Sequence, residues 1–473
     1  MGAFLDLMEK IEPVMLSVDA PQKKVALSTR LLWTGLVLLL YLVLSNIELY
    51  GIPSQVADPY RQYRVIMGGA RGTLTELGIG PIVTGGLIVQ LLIGSGIISY
   101  DRNSERDARL LNVTNKLFSI IFVVAMASLY VLNRTYGDLS PVNSVIVIAQ
   151  LTLGGIFIIL MDEVLQRGWG LGSGINLFIL SGVTREIFVS TFSLIGPVGD
   201  GRSYGSLVAL VQDFLGGTFT PVRLLLRDST GQLPTILGLV ITLAFLAFLI
   251  YLENVSVQVP ISSSRFRGFS GRYPIKLIYL STLPVILVFA IISNFSIWAH
   301  FVQTNQFLSN VPLLPDIIGR VNATSGEALS GLVYYATPVR GFGNFLKDPL
   351  RFLGNFLLIT VLSILFSVLW VSVSGMDARS VASQLAESGV LVRGFRSSTD
   401  ALVKVLDTYI STVTILSGLI VAAVVSFGDL LAVYSSGMGI LLAVGIVNDY
   451  YEAIMREQLE ETYPILRRLI ASE

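Results

Sequence analysis

The sequence predicts an all-α membrane protein whose ten transmembrane helices form two inverted five-helix halves. Two observations carry this prediction: the composition of the chain and a series of ten long apolar runs. The 473-residue chain is 53% hydrophobic, only 14% charged and has a mean hydropathy of +0.73. Because a soluble domain carries roughly a quarter charged residues, this chain has too little polar surface to be covered by water alone. Lipid must cover the rest.

The ten apolar runs have the length that a helix needs to cross a bilayer. A hydrocarbon core of about 30 Å takes roughly 20 mostly apolar residues per helix. Isolated strands cannot cross lipid with unpaired backbone groups, so runs of this length predict helices. The predicted spans are 31–50, 76–98, 113–132, 142–162, 172–192, 234–252, 275–298, 352–373, 409–428 and 436–455.

Basic residues favour alternate connecting segments. With the N-terminus inside, the inside segments hold 20 lysines and arginines, the outside segments hold 11, and Arg185 within a span completes the total of 32. Because cytoplasmic loops carry the excess of basic residues, we expect both termini in the cytoplasm. The predicted organisation is a cytoplasmic segment 1–30, a first half 31–195, an external hinge loop 196–233, a second half 234–455 and a cytoplasmic tail 456–473. The first segment is mixed and charged, so no cleavable signal peptide is expected.

Each predicted half contains five spans, and an odd number forces the halves into opposite orientations. Secondary transporters are often built this way, so a transporter is the alternative that the topology leaves open. The halves share no obvious sequence identity, and the repeat is inferred from topology alone. Charges inside spans, the usual sign of ion coupling, are scarce. Arg185 and Glu186 fall near an outer helix end, and Asp162 and Glu163 fall at a cytoplasmic end, which weakens the transporter interpretation.

Composition also limits the chemistry of the chain. There is no cysteine and only one histidine, His300, so thiolate zinc sites, cysteine nucleophiles and multi-histidine metal sites are excluded. Gly-Ser-Gly-Ile occurs at 94–97 and at 172–175 without the preceding strand or the lysine of a phosphate-binding loop. We therefore expect no cofactor and no enzymatic activity. An intramembrane enzyme would need a catalytic set that this sequence lacks.

Two neighbouring segments suggest irregular backbone at membrane depth. Residues 51–75 are too polar to cross the membrane and contain a Gly68–Gly69 break. They form either an ordinary outside loop or a re-entrant plug, which is tolerated only when protein encloses it. The second span opens with Gly78, Gly80, Pro81, Gly85 and Gly86, residues that break a helix or let it pack closely through small side chains.

Two cytoplasmic segments carry clustered basic residues. The segment 253–274 contains Arg265, Arg267 and Arg272, and the segment 374–408 contains Arg379, Arg393, Arg396 and Lys404. Such residues are typical of positive-inside loops that contact anionic lipid. Their spacing also suits a surface that binds RNA phosphates. The residues alone leave both interpretations open.

Four stretches, in the same order and topology, resemble the SecY family, whose members are the central channel subunits of the Sec translocon. The resemblance is to the archaeal type, akin to the eukaryotic alpha subunit, and it covers nearly the whole chain. The stretches are GIGPIVTGGLIVQLLIGSGII, GWGLGSGINLFI, RYPIKLIYLSTLPVIL and VRGFR.

The resemblance implies a central pore between the two halves, closed at its waist by a ring of aliphatic side chains. The implied ring is Ile79, Val83, Ile175, Ile179, Ile286 and Leu442. The segment 55–75 would be a re-entrant plug that seals the outer funnel. Its implied plug residues are Tyr60, Arg61, Tyr63, Arg64 and Met67. Branched apolar side chains suit a ring because a hydrophobic constriction blocks ions by dewetting.

The resemblance also implies a lateral gate, where spans two and three open against spans seven and eight. Thr84, Met126 and Asn294 match gate positions of the family, and Met126 stands where at least some relatives have an acidic residue. The implied ribosome-docking residues are Arg265, Arg267, Arg272, Arg393 and Arg396. The implied partners are SecE-like and beta-type small membrane subunits, the ribosome, signal sequences, nascent polypeptides and the lipid bilayer. A protein of this family is expected to be a passive, gated polypeptide channel in the cell membrane.

Overall fold

Ten long helices dominate the fold. The computed structural model describes residues 8–53, 67–98, 104–198, 200–217, 220, 227, 233–263, 270–277, 282–311, 313–322, 328–387, 390–392 and 399–462. The helices are α1 (Leu27–Leu44), α2 (Gly80–Gly94), α3 (Glu105–Leu132), α4 (Pro141–Gln166), α5 (Gly174–Phe192), α6 (Ile236–Glu253), α7 (Thr282–Thr304), α8 (Pro349–Ser374), α9 (Thr399–Leu430) and α10 (Gly437–Thr462). Within the described ranges, nine of them are long and apolar enough to span a membrane, and α2, with 15 residues, is shorter.

Helix starts and ends alternate between two faces of the bundle. We call the face where α1 begins the near side and the opposite face the far side. On the near side, Arg30 at the start of α1 pairs with Glu457 of α10 at 2.7 Å, and Lys116 of α3 pairs with Glu163 of α4 at 2.6 Å. Trp33 of α1 also meets Trp169 after α4, with ring centroids 5.5 Å apart. These contacts place the start of α1 and the end of α10 together, as an even number of crossings requires.

A small antiparallel sheet on the near side was not predicted from the sequence. Strand β1 (Ser256–Ser263) lies between β2 (Ser270–Lys276) and β3 (Val390–Val392). Ser256 pairs with Lys276 and Ile261 pairs with Val392. Alternate apolar residues in β1, Val257, Val259 and Ile261, give it the two-residue period of a strand. The sheet joins the segment after α6 to the segment after α8, the two segments that carry the clustered arginines.

The predicted seventh span, 275–298, is wrong at its start. Residues 275 and 276 belong to β2, and α7 runs instead over Thr282–Thr304. Ile275 is buried against Ala382 and Leu406 in a small apolar cluster beneath the sheet. Its apolar character therefore serves a near-side core rather than a lipid contact, and hydropathy alone cannot separate the two.

The second predicted span, 76–98, is helical only over α2. The residues before Gly80 form a buried turn instead, with Thr75 at 0% and Leu77 at 5% exposure. Proline at the second position of α2 is tolerated because the first amides of a helix have no partner within the helix. α3 and α9 are longer than their predicted spans, because hydropathy marks only the apolar part of a helix that continues past the membrane.

The far-side loop between α5 and α6 is stabilised by a buried ion pair. Arg227 pairs with Asp200 at 2.9 Å and donates further hydrogen bonds to the carbonyl oxygens of Ser203, Tyr204 and Pro234. Burial opposes ionisation of Asp200, but hydrogen bonds from Arg227 and from the Arg202 backbone outweigh it and lower the pKa of this carboxyl. The described part of the predicted hinge loop is therefore folded around the Arg227 side chain.

The two halves meet along an antiparallel pair of helices, α5 from the first half and α10 from the second. At the near side, the Tyr450 hydroxyl of α10 donates to the Ser173 carbonyl at the start of α5, at 3.1 Å. Towards the far side, Gly439 of α10 faces Val183 of α5, whose Cγ2 would lie 3.3 Å from a Cβ added at that glycine. Contacts at both ends keep the pair in register.

Candidate channel site

The six residues of the implied ring come from both halves. Ile79 and Val83 lie at the start of α2, Ile175 and Ile179 on α5, Ile286 on α7 and Leu442 on α10. Five of the six are buried in one continuous apolar cluster, and Ile175 is partly buried against it. We call this level of the bundle the waist.

The turn that precedes α2 brings residue 67 back to the waist. The backbone amide of Ile79 donates to the carbonyl oxygen of Met67 at 2.9 Å. Gly78 has φ +53°, and a Cβ added there would overlap that same oxygen. Only glycine meets both demands, since L-residues with side chains rarely adopt this backbone conformation. Gly78 therefore permits the close approach between Met67 and the start of α2.

Met67 and Gly68 also contact the first and fifth helices. Met67 is 7% exposed and belongs to the same cluster as the ring residues. A Cβ at Gly68 would lie 2.7 Å from the Tyr41 hydroxyl and 3.1 Å from the Phe178 carbonyl. Tyr41 of α1 stacks on Phe178 of α5 with ring centroids 4.3 Å apart. The predicted plug residues Tyr60, Arg61, Tyr63 and Arg64 lie outside the described residues.

Glu76 is a buried acid next to the waist that sequence reasoning missed. Its side chain accepts a hydrogen bond from the Gly72 amide at 2.9 Å, and the residue is 1% exposed. The neighbouring Leu74 carbonyl packs directly on Gly154 of α4. An acidic residue at the edge of an apolar run was the available signal, because such a carboxylate needs backbone donors to be buried.

Two of the three implied gate residues are brought together. The Asn294 Nδ2 of α7 donates to the Thr84 Oγ1 of α2 at 3.2 Å, and Thr84 in turn donates to the Gly80 carbonyl at 2.8 Å. Thr84 and Asn294 are 7% and 6% exposed. A buried polar pair between apolar helices opposes their separation, because the Asn294 amide loses its acceptor when they part.

The third implied gate residue, Met126, lies in a separate apolar cluster of α3 with Leu77 and Tyr130. Ile82 of α2 and Ile297 of α7 pack against this cluster. Met126 therefore contributes apolar packing beside the gate and is not part of the polar contact between Thr84 and Asn294.

A second polar contact joins α7 to the far-side end of α3. The Nε2 of His300 on α7 lies 3.2 Å from the carbonyl oxygen of Asn133, which ends α3. The contact is a hydrogen bond when Nε2 carries the proton. The only histidine of the chain thus lies across the boundary between the two halves. Sequence reasoning used this residue only to exclude metal sites.

An apolar groove lies on the near-side half of this boundary. It is lined by residues of α2, α7 and α8, among them Leu87, Leu91, Leu287, Phe366 and Trp370. Among the described residues, no group of histidine, aspartate or glutamate side chains is arranged to hold a metal ion.

Most of the implied docking residues are outside the part of the chain that the structure describes. Arg265, Arg267, Arg393 and Arg396 fall outside the described residues, as does the Arg272 side chain. The backbone of Arg272 pairs with Pro260 in the near-side sheet. The sheet itself brings the two basic segments to one surface.

The fold and the site define a class of protein: a polytopic helical membrane protein whose two five-helix halves meet at a sealed apolar waist. The family model described as SecY matches residues 73–451, and the model described as the plug domain of Sec61p matches residues 39–72. The chain belongs to the SecY family.

Individual relatives agree with this assignment over the full length of the chain. The protein translocase subunit SecY of Pyrococcus furiosus is 36% identical over 100% of both chains. A solved structure of a protein conducting channel superimposes with a TM-score of 0.79 and 31% identity, over 96% of this chain and 97% of the other. Sec61 in the canine ribosome–channel complex from the endoplasmic reticulum gives a TM-score of 0.76 and 30% identity, over the same 96% and 97%.

We expect Gly78→Ala to loosen the turn between Met67 and α2. Alanine at positive φ costs about 1–2 kcal/mol, and overlap with the Met67 carbonyl adds to this, so the Ile79 amide should exchange with deuterium at least about tenfold faster. Gly80→Ala is the matched control, because a Cβ added at Gly80 meets no atom within 4 Å. Equal exchange in the two variants would show that the close contact at Gly78 has no energetic weight.

We expect Thr84 and Asn294 to be energetically coupled across the gate. Thr84→Val leaves the Asn294 amide buried without its acceptor, and Asn294→Leu removes the donor to Thr84, whose hydroxyl keeps its bond to the Gly80 carbonyl. The double variant removes both groups, so a coupling of about 1 kcal/mol is expected. The closed fraction can be read as a distance distribution between spin labels at Leu91→Cys on α2 and Val368→Cys on α8. Both positions are exposed, and the chain has no competing cysteine. Additive effects of the two substitutions would contradict the coupling.

Proposed function

We propose that this chain is a gated protein-conducting channel that lets secretory polypeptides cross the membrane and releases apolar segments sideways into lipid. The observation that carries this proposal is the convergence at the waist. Aliphatic side chains from α2 and α5 of one half and from α7 and α10 of the other meet there, directly beside Met67 at the end of the implied plug. Membership of the SecY family supports the same conclusion.

An aliphatic ring suits the passage of a polypeptide for two reasons. Branched apolar side chains offer no hydrogen bonds or charges, so they hold no particular sequence in the pore. A hydrophobic constriction also excludes ions by dewetting when no chain fills it. The plug, anchored through the Met67 turn, would add a second barrier on the far side of the ring.

The boundary between α2 and α7 is the proposed lateral gate. The helices there are apolar. Two polar contacts join α7 to its neighbours: Asn294 with Thr84 of α2, and His300 with Asn133 at the end of α3. The groove on its near-side half, lined by Leu87, Leu287 and Phe366, is suited to an apolar segment that enters from the near side. Burying such a segment in lipid is favourable by about 25 cal/mol per Å² of apolar surface, which gives the direction of release.

The proposed channel is passive and carries out no covalent chemistry. Energy for transport would come from chain elongation by a docked ribosome or from folding and binding on the far side. The near side is proposed to face the cytoplasm, because the predicted inside segments hold 20 of the 32 basic residues and include both segments with clustered arginines. We propose the ribosome as a partner at this surface. We also propose SecE-like and beta-type small subunits in the membrane, with the SecE-like subunit bracing the two halves.

A photocrosslinking amino acid at Ile79 or Ile286 should react with a secretory chain that is stalled on a ribosome inside the channel. Leu243 on α6 is the matched control, since it is 58% exposed on the outer surface of the bundle. We expect crosslinks to a stalled secretory chain at the two ring positions and not at Leu243. Crosslinks at Leu243 alone would contradict passage through the waist.

Charge reversal at Arg396 should weaken ribosome binding while leaving membrane insertion of the chain intact. Loss of a contact to an RNA phosphate is expected to lower the affinity by about tenfold at physiological salt and to reduce its salt dependence. Arg134→Glu is the matched control, because Arg134 follows α3 on the far side and its side chain is 70% exposed. Binding of purified ribosomes to proteoliposomes measures both variants, and an unchanged affinity for Arg396→Glu would remove this residue from the docking surface.

A further inference from the structure

Two buried aspartates lie where α5 and α10 begin, and neither has a role in the transport function proposed above. Asp162 is near the end of α4 and is 6% exposed; Asp429 is near the end of α9 and is 4% exposed. Each therefore precedes the last helix of its half. Those two helices, α5 and α10, carry three of the six ring residues.

Asp162 accepts hydrogen bonds from the first residues of α5. Its Oδ1 lies 3.1 Å from the Ser173 hydroxyl and 3.2 Å from the Ile175 amide, and its Oδ2 accepts from Gln166 at 2.8 Å. Ser173 is the N-cap of α5 but makes no capping bond of its own. The carboxylate of the neighbouring helix takes over that role, which satisfies amides that a helix start leaves without partners.

Asp429 has the corresponding place at the start of α10. Its Oδ1 accepts from the Gly437 amide at 2.9 Å, while the Ser436 hydroxyl accepts from the Gly439 amide at 2.9 Å. The short turn before α10 holds Ser435 at φ +69°. Arg340 from the α7–α8 connection donates to the carbonyl oxygens of Val433 and Ser435 at 3.0 and 2.6 Å, which stabilises that turn.

A glycine at each helix start allows this close contact. A Cβ added at Gly174 would lie 2.7 Å from the Asp162 Cα, and one added at Gly437 would overlap the Val425 carbonyl of α9. Both helices therefore begin pressed against the backbone of the helix before them. A side chain at either glycine would push the helix start away.

The capping arrangements at Asp162 and Asp429 are inverted relative to each other, as the two halves are. Asp162 caps its helix on the near side and Asp429 on the far side, as expected when one half is inverted relative to the other. Ile179 follows Gly174 by five residues, and Leu442 follows Gly437 by five residues. The same device thus sets a ring residue at the same distance from the start of each helix.

The geometry points to Asp162 and Asp429 as positioning residues of the pore ring. A helix that slips by one residue moves its side chains by about 1.5 Å along the axis and about 100° around it, which is enough to take a ring residue out of the waist. A carboxyl cap buried in the helix start opposes such a slip, because the amides and the carboxyl oxygens would both lose their partners without gaining water. This inference rests on the proposed ring.

The inference is tested by thiol labelling in the complete complex in proteoliposomes. Single cysteines replace Ile179 on α5, Leu442 on α10 and Ile286 on α7, in a chain that has no other cysteine. The probe is a charged, water-soluble methanethiosulfonate. Asp162→Leu should raise the labelling rate at Ile179→Cys, and Asp429→Leu the rate at Leu442→Cys, by about tenfold, the equivalent of one buried hydrogen bond. Labelling of Ile286→Cys should not change in either variant.

Two further variants separate positioning from a general loss of stability. Asp162→Asn and Asp429→Asn keep an acceptor oxygen, so smaller increases on the same helix are expected, and these variants serve if the leucine variants do not fold. Asn355→Leu is the matched control: Asn355 is buried on α8 and donates to the Tyr335 carbonyl at 2.7 Å, away from α5 and α10. Equal increases at all three cysteines, increases of the same size in Asn355→Leu, or no increase at all would overturn the inference.

A separate variant tests the ring on which the inference rests. Ile286→Gly widens the waist without touching either aspartate and should raise the passive ion leak of the proteoliposomes. An unchanged leak would count against the proposed ring itself. A leak in Ile286→Gly together with unchanged labelling in the aspartate variants would overturn only the positioning role.

Discussion

The contact between α5 and α10 joins the two halves, and the rest of the structure depends on it. The pair is tied at both ends, by Tyr450 to the Ser173 carbonyl on the near side and by the close approach of Gly439 and Val183 towards the far side. Asp162 and Asp429 hold the two helix starts from opposite faces. At the opposite boundary, between α2 and α7, the described residues are mostly apolar and include the hydrogen-bonded pair of Asn294 and Thr84. In the proposed channel, the α5–α10 side would stay closed and the α2–α7 side would part.

On the far side, hydrogen bonds join the turn before α10 to α6 and to the hinge loop. The hydroxyl of Tyr434, in the turn before α10, donates to the Thr235 carbonyl at 2.7 Å and lies 2.8 Å from the Ser206 hydroxyl, and the Tyr434 amide donates to the Thr242 hydroxyl of α6. The ion pair of Arg227 and Asp200 in the hinge loop lies on the same side of the molecule. Two of these hydrogen bonds, Tyr434 to Ser206 and Arg227 to Pro234, join the second half to the hinge loop, and breaking either would cost about 1–3 kcal/mol if a buried group were left unpaired.

Much of the fold could be predicted because a lipid environment requires long apolar runs. Hydropathy located all ten helices, and it failed where apolar residues have a role outside the membrane, as with Ile275 beneath the sheet. The strands were missed because β3 has only three residues and lies far along the chain from its partner β1. No pattern in one sequence indicates which distant segments pair.

The site was predicted unevenly for similar physical reasons. Thr84 and Asn294 match gate positions of the family, and the structure joins them by a hydrogen bond. Their role at a gate stays a prediction. Met126 was assigned to the same group but packs in a different cluster. Asp162 was noted only as a charge at a helix end, because its partners at 173 and 175 are contacts of the folded chain. The capping role of Asp429 had no signal beyond an acid within an apolar run.

The central claim is that the waist is the narrowest point of a water-accessible path between the two halves. Solvent-access mapping tests it most directly, with single cysteines at the six ring positions and impermeant thiol reagents added from each side. The account predicts slow labelling in the resting channel and clear labelling at these positions once a translocating chain has engaged. Six positions that stay unlabelled from both sides, at rest and during translocation, would contradict it.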